Sequence, residues 1–164
     1  FQQCGGIDLE VVPAELTYGL ERLTAFLQNV DSVYDIRWNE KWGYRHVRFQ
    51  DEQQYSVYNF EKADVSAVWR EFDLHEGECQ RLLDEYRSLE DSSEKRRFPL
   101  LAAYDRVLKC SHLFNTLDAR GAISVTERVV VIARVRKLAV GLAQSWMDQQ
   151  EALTSADPAR VAGQ

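Results

Sequence analysis

From about Asp51 onward the chain reads as helical, and outside residues 90–97 apolar side chains between 64 and 153 return every three or four positions, a period that leaves few options besides packed helices. Asp64 is placed to cap a helix whose inner face carries Val65, Val68, Trp69 and Phe72, continued by Cys79, Leu82, Leu83 and Tyr86. Gly77 is expected to kink or divide it. Residues 90–97 (Glu-Asp-Ser-Ser-Glu-Lys-Arg-Arg) have mixed charge and no apolar period, so they read as a loop closed by Phe98-Pro99. The next helix sets Leu101, Tyr104, Leu108 and His112 on one stripe and stops at Gly121. Ser124-Val125-Thr126-Glu127 has the form of a capping box. It opens a long helix with Ile132, Val135, Ala139, Leu142 and Trp146 on its inner stripe. From Thr154 the residues are small and polar, and a loose tail is expected.

Ahead of residue 51 the period changes. Glu15-Leu16-Thr17-Tyr18-Gly19 alternates, so a strand would set Glu15, Thr17 and Gly19 on one face and Leu16 and Tyr18 on the other. Helical spacing takes over at Leu20, Leu23, Leu27 and Val30, and a strand feeding directly into a helix is predicted. Alternation returns at Tyr34, Ile36 and Trp38 and at Val47 and Phe49, on either side of residues 39–43, which predicts a hairpin or two short strands. There Arg37, Lys41, Arg45 and Arg48 interleave with Trp38, Trp42, Tyr44 and Phe49. Such a mixture suits a strand pair with solvated cations, or a nucleic-acid surface with cations for phosphates and rings for bases. The expected fold class is α+β, predominantly α, with a small antiparallel β portion ahead of a helical bundle. The expected domains are 1–60, 61–153 and a tail at 154–164.

With 20 basic and 26 acidic side chains the formal charge is −6, so any RNA contact has to be local. Apolar runs such as 129–133 fall far short of the ~20 residues that a membrane-spanning helix needs, and no membrane partner is expected. Cys4, Cys79 and Cys110 are scattered, which fits a reducing, cytoplasmic compartment. His46, His75 and His112 form no ligand spacing, and no metal-binding residues are assigned. The opening Phe1-Gln2-Gln3-Cys4-Gly5-Gly6 reads as cut from something longer.

The chemistry concentrates at residues 15–22. Glu15 and Thr17 would project over a sheet, Gly19 would let a flat group approach the backbone, and Arg22 would meet that group from the first turn of the helix. A guanidinium both stacks on a purine and pairs its fork with phosphate oxygens. The string Glu15-Leu16-Thr17-Tyr18-Gly19-Leu20-Glu21-Arg22-Leu23 resembles motif 3 of the class II aminoacyl-tRNA synthetases, in the form found in the alpha subunit of bacterial heterotetrameric glycyl-tRNA synthetase. The resemblance includes Phe1-Gln2-Gln3 and Gly5-Gly6, residues 30–35, and Tyr58-Asn59-Phe60-Glu61. It returns at Phe114-Asn115 and Leu117-Asp118-Ala119-Arg120, and ends with residues 122–128.

That resemblance implies that residues 1–60 are the end of a class II catalytic sheet, followed by a helical domain. It implies ATP-dependent activation of glycine to glycyl-adenylate, then transfer of glycine to tRNA(Gly). ATP is then a substrate, Mg2+ accompanies it, and the partners are a separate beta subunit and a second alpha subunit in a heterotetramer. By the same resemblance Arg22 lies against adenine and meets the γ-phosphate, and Gly19 opens room for the nucleotide. Glu15 pairs the glycine ammonium, Thr17 serves the glycine side, Gln3 makes a polar contact to glycine or adenylate, and Glu21 is associated with the nucleotide. Motifs 1 and 2 are not in the sequence, so the chain alone is expected to be inactive. Tyr44-Arg45-His46-Val47 departs from the family, which usually has Gly-Asp between the tyrosine and the valine. Two other readings stand beside this one: a non-catalytic helical module docking a partner subunit, and an RNA-binding face built on Arg128, Arg134, Arg136 and Lys137.

Overall fold

The computed structural model describes residues 1–4 and 7–156, and it divides into two compact units, Phe1–Glu61 and Lys62–Gln164. The described residues are predominantly helical, as their period requires.

The second unit is built from α3 (Val65–Ser88), α4 (Ser92–Arg97), α5 (Leu100–Ala119) and α6 (Val125–Ala156). Asp64 caps α3, its Oδ1 accepting from the Ser66 and Ala67 amides at 2.9 and 3.2 Å. These bonds hold its carboxyl below the usual range. At α6 the capping box closes in both directions: the Glu127 amide donates to Ser124 Oγ at 3.2 Å, and the Ser124 amide donates to Glu127 Oε2 at 2.9 Å. Gly121 makes the turn before it at φ 63°, a conformation that glycine adopts without strain.

Helices α3, α5 and α6 share one core. Cys79 Sγ reaches the Ala103 carbonyl while Cys110 Sγ reaches that of Phe72, so α3 and α5 run antiparallel. Arg134 pairs with Asp73 and Glu76 while Tyr86 bonds Asp148, so α3 and α6 run parallel. Phe72, Cys79, Ala103, Cys110 and Leu117 are fully buried. Gly141 of α6 faces α3, where a Cβ would lie 2.7 Å from Arg87 Nη2 and 3.4 Å from Leu83 Cδ1, so the arginine end would have to move aside.

Four local expectations are corrected here. Helix α3 runs unbroken through Gly77, because the tertiary contacts on either side outweigh the ~1 kcal/mol that one exposed glycine costs a helix. Residues 92–97 are helical rather than loop. Asp91 caps α4 through Ser93 and Glu94, and Gln149 Nε2 holds its end by donating to the Lys95 and Phe98 carbonyls at 2.7 and 2.9 Å. The buried face of α5 is Leu100, Ala103, Val107, Cys110, Leu113 and Leu117, so the expected stripe of Leu101, Tyr104 and Leu108 is exposed. In α6 the buried positions include Val131, Leu138, Leu142, Ser145 and Gln149, and Trp146 remains 42% exposed. Each helix offers more than one apolar stripe, and the packing of the three helices together decides which is buried; Leu142 lies on the buried side as expected.

The first unit holds β1 (Gln3–Cys4), β2 (Ile7–Asp8), α1 (Leu20–Gln28), a 3-10 turn (Val33–Asp35) and α2 (Tyr44–Val57), which runs on into a π-helical turn, Tyr58–Lys62. β1 and β2 pair antiparallel, Gln3 with Asp8 and Cys4 with Ile7, and they are the whole sheet among the described residues. The predicted strand at 15–19 does not form, since no second strand lies beside it to complete a ladder. The predicted hairpin across 34–49 is replaced by a turn and α2. Asn39 Oδ1 takes the Lys41 and Trp42 amides at 2.9 and 2.8 Å, the Trp38 amide donates to the Trp42 carbonyl at 2.9 Å, and only Arg37 and Gly43 bridge as strands do.

Candidate functional site

The six residues assigned from sequence lie in or before the first turn of α1, and all are exposed. Thr17 Oγ1 donates to Glu15 Oε1, so the carboxylate and the hydroxyl are neighbours, as an alternating segment would place them. Gly19 is the N-cap of α1 in extended conformation, φ −75° and ψ 101°. A Cβ on Gly19 would lie 3.8 Å from Arg22 Cγ and Cδ, so the arginine stem passes directly over the glycine. Glu21 stands in the first turn, where the helix dipole favours an acid, and Tyr44 Oη donates to its Oε1 at 3.4 Å. Gln3 is engaged elsewhere, its Nε2 donating to Asp8 Oδ1 at 3.0 Å. The structure thus brings together Glu15 with Thr17 and Gly19 with Arg22, and sets Gln3 in the β pair.

The opposite face of this segment is open. Leu16 is 81% exposed and Phe26 83%, and Ile36 is the buried large apolar residue of the first unit among the described residues. The end of α1 is fixed more firmly. Asn29 closes it at φ 52°, and Gln28 pairs with the backbone of Arg37 in both directions at 2.8 Å, as a neighbouring strand would.

Comparison with known proteins identifies the family of the chain. A family model described as glycyl-tRNA synthetase alpha subunit matches residues 1–151. The chain belongs to that family. A relative, the glycine–tRNA ligase alpha subunit of Coprothermobacter proteolyticus, is 46% identical over 151 residues, which make up 92% of this chain and 48% of the relative. The chain therefore spans about half the length of this curated relative.

In this glycyl-tRNA synthetase alpha subunit family member, sequence reasoning missed Tyr44 as the partner of Glu21 and Gln28 as the clamp on Arg37. Helical spacing of Tyr44, Val47 and Gln50 behind Gly43 was the available signal for the first, and it competed with alternation over the same residues. Two of the four cations of the alternative RNA face on α6 are committed to the fold. Arg134 binds Glu76 and Asp73 and covers the Phe72 ring at 4.7 Å, while Arg128 pairs with Asp118. Burial pushes the Cys79 and Cys110 thiols up to about 11, so neither is poised as a nucleophile. No group of three His, Cys, Asp or Glu side chains converges to hold a metal among the described residues. Nor is any described helix long and apolar enough to cross a membrane.

Proposed function

We propose that this chain supplies the motif 3 segment and the helical region of a glycine–tRNA ligase alpha subunit. The reaction is activation of glycine by ATP to glycyl-adenylate, followed by transfer to tRNA(Gly). It takes place in cytoplasm and needs catalytic elements outside this chain, a second alpha subunit and a beta subunit. The match across residues 1–151 carries this reading. The open apolar stripe of α1 supports it, since such a stripe suits a segment packed inside a larger domain.

Within the reaction the chain's residues position reactants and offset charge. Arg22 lies flat against adenine with its fork on the γ-phosphate, and the small Gly19 leaves the nucleotide space beside the arginine stem. Glu15, steadied by Thr17, takes the glycine ammonium. That leaves the glycine carboxylate free to attack the α-phosphate in line, with pyrophosphate as leaving group. Glu21 anchors the start of α1 against Tyr44, and Gln3 contributes a polar contact to glycine. Magnesium accompanies ATP from solution.

The test replaces the matched 151 residues of the Coprothermobacter relative with residues 1–151 of this chain and assays pyrophosphate exchange in the presence of the beta subunit. Exchange that Arg22→Ala abolishes supports the reading, and a folded chimera that binds no ATP refutes it. A second reading, a helical module that docks the partner subunit, draws on an apolar groove of about 430 Å³ between α5 and α6, lined by Leu101, Tyr104, Val107, Leu142, Trp146 and Met147. It prevails if Tyr104→Glu abolishes assembly of the chimera with the beta subunit while Arg22→Ala leaves nucleotide binding unchanged.

A further inference from the structure

The loop between the 3-10 turn and α2 forms an open depression of about 370 Å³, lined by polar and apolar groups alike, that the proposed catalytic segment does not use. Its wall is pre-organised. Arg45 stacks at 5.5 Å from the Tyr34 ring centroid and 5.1 Å from that of Phe49, and its guanidinium lies 3.6 Å from Asp35 Oδ1, so it serves the fold. The Gly43 amide donates to His46 Nδ1 at 3.1 Å, which leaves the proton of the neutral ring on Nε2 as a donor. Trp42 is 45% exposed with Lys41 Nζ 5.1 Å from its ring centroid, and Arg37 lines the same pocket. Trp38, joined to Trp42 across the tight turn, is 57% exposed. Arg45 and Arg48 pair with Asp35 and Asp51, and the pocket itself carries Arg37, Lys41 and His46 beside Glu40.

We propose that this loop is a shelf for a single-stranded RNA end, with Trp42 and Trp38 offering ring faces to bases and Arg37, Lys41 and His46 Nε2 taking phosphate oxygens. Exposed rings beside cations bind single strands with little sequence preference, because every base has a face to stack and every nucleotide a charge to neutralise. The proposal rests on the reading above, in which tRNA is a substrate, and it assigns the part of this chain that the strand touches.

The experiment titrates the whole chain into a short fluorescein-labelled RNA carrying the 3′-terminal sequence of tRNA(Gly), by anisotropy over a range of salt. Trp42→Leu is expected to weaken binding on the order of tenfold. Arg37→Gln with Lys41→Gln should lower the salt slope by roughly 1.4, about 0.7 for each phosphate that is no longer neutralised. Both are surface changes, and circular dichroism checks that the helices persist. Unchanged affinity and slope overturn the proposal. So does loss of binding on Arg136→Gln with Lys137→Gln, which places the RNA on α6, and so does displacement of the RNA by free ATP, which assigns the pocket to a mononucleotide. Pyrophosphate exchange by the chimera needs no tRNA, so its failure counts against the catalytic reading and leaves the shelf to be judged by the anisotropy.

Discussion

Removing one oxygen from Tyr86 tests how the ends of α3, α4 and α6 are held together. The Tyr86 ring is 2% exposed and packs edge-on to Phe98 at 5.5 Å, while its hydroxyl donates to Asp148 Oδ2 at 2.6 Å. Lys95 Nζ donates to the same oxygen at 3.0 Å. A hydrogen bond to a charged group is worth about 1.5–3 kcal/mol. Asp148 is 48% exposed, so solvent replaces part of what the bond supplied, and phenylalanine leaves no orphaned polar atom. Tyr86→Phe should therefore cost about 1–1.5 kcal/mol at pH 7, a fall in Tm of roughly 2–6 °C for a chain of this size. The Asp148 carboxyl is held below the usual range, first by Tyr86 and then by Lys95. A depressed carboxyl stabilises above its unfolded pKa of about 3.9, and that contribution disappears as pH falls through the folded value. The difference between wild type and Tyr86→Phe should accordingly narrow from about pH 5 downward. Urea denaturation at pH 7 and pH 3 measures it, and a double-mutant cycle with Asp148→Asn should return a coupling of about 0.5–1.5 kcal/mol. A cost below about 0.3 kcal/mol at pH 7, or zero coupling, refutes the argument.

Two glycines should respond with opposite sign. Nothing lies within 4 Å of a Cβ on Gly77, so Gly77→Ala should stabilise α3 by about 0.5–1 kcal/mol, whereas Gly121→Ala at φ 63° should destabilise by about 1 kcal/mol, both read from urea midpoints. Arg134→Met should cost about 1–2 kcal/mol, because it leaves Asp73 and Glu76 together without their cation, and added salt should diminish the loss. In the native chain a thiol reagent should modify the exposed Cys4 quickly and leave Cys79 and Cys110 protected until denaturant is added.

Signals that depend on neighbours in sequence were the legible ones. Asp64 and the Ser124–Glu127 box cap their helices as their spacing requires, and Gly121 turns the chain between them. Signals that depend on distant packing were legible on α3 too, whose expected inner face from Val68 to Tyr86 is buried, but not on α5 and α6. There more than one apolar stripe competes, and periodicity cannot say which meets a neighbour; Leu101, Tyr104 and Trp146 drew the choice, and the helices instead packed on stripes that include Leu100, Val107, Cys110 and Leu138. Residues 34–49 failed for a related reason, since alternation over so short a span fits a turn and a first helical turn as well as a hairpin. At the candidate site the pairing of Glu15 with Thr17 followed from a spacing of two, but the ladder expected around it needs strands that the described residues do not provide.

The groove between α5 and α6 separates two burdens that most helical domains place on the same residues. Leu101 and Met147, 68% and 60% exposed, bury little area and should contribute little to melting temperature, whereas an exposed apolar groove of this kind favours adhesion between copies. Polar replacements there would raise the concentration at which the chain stays dispersed while leaving its cooperative unfolding where it was.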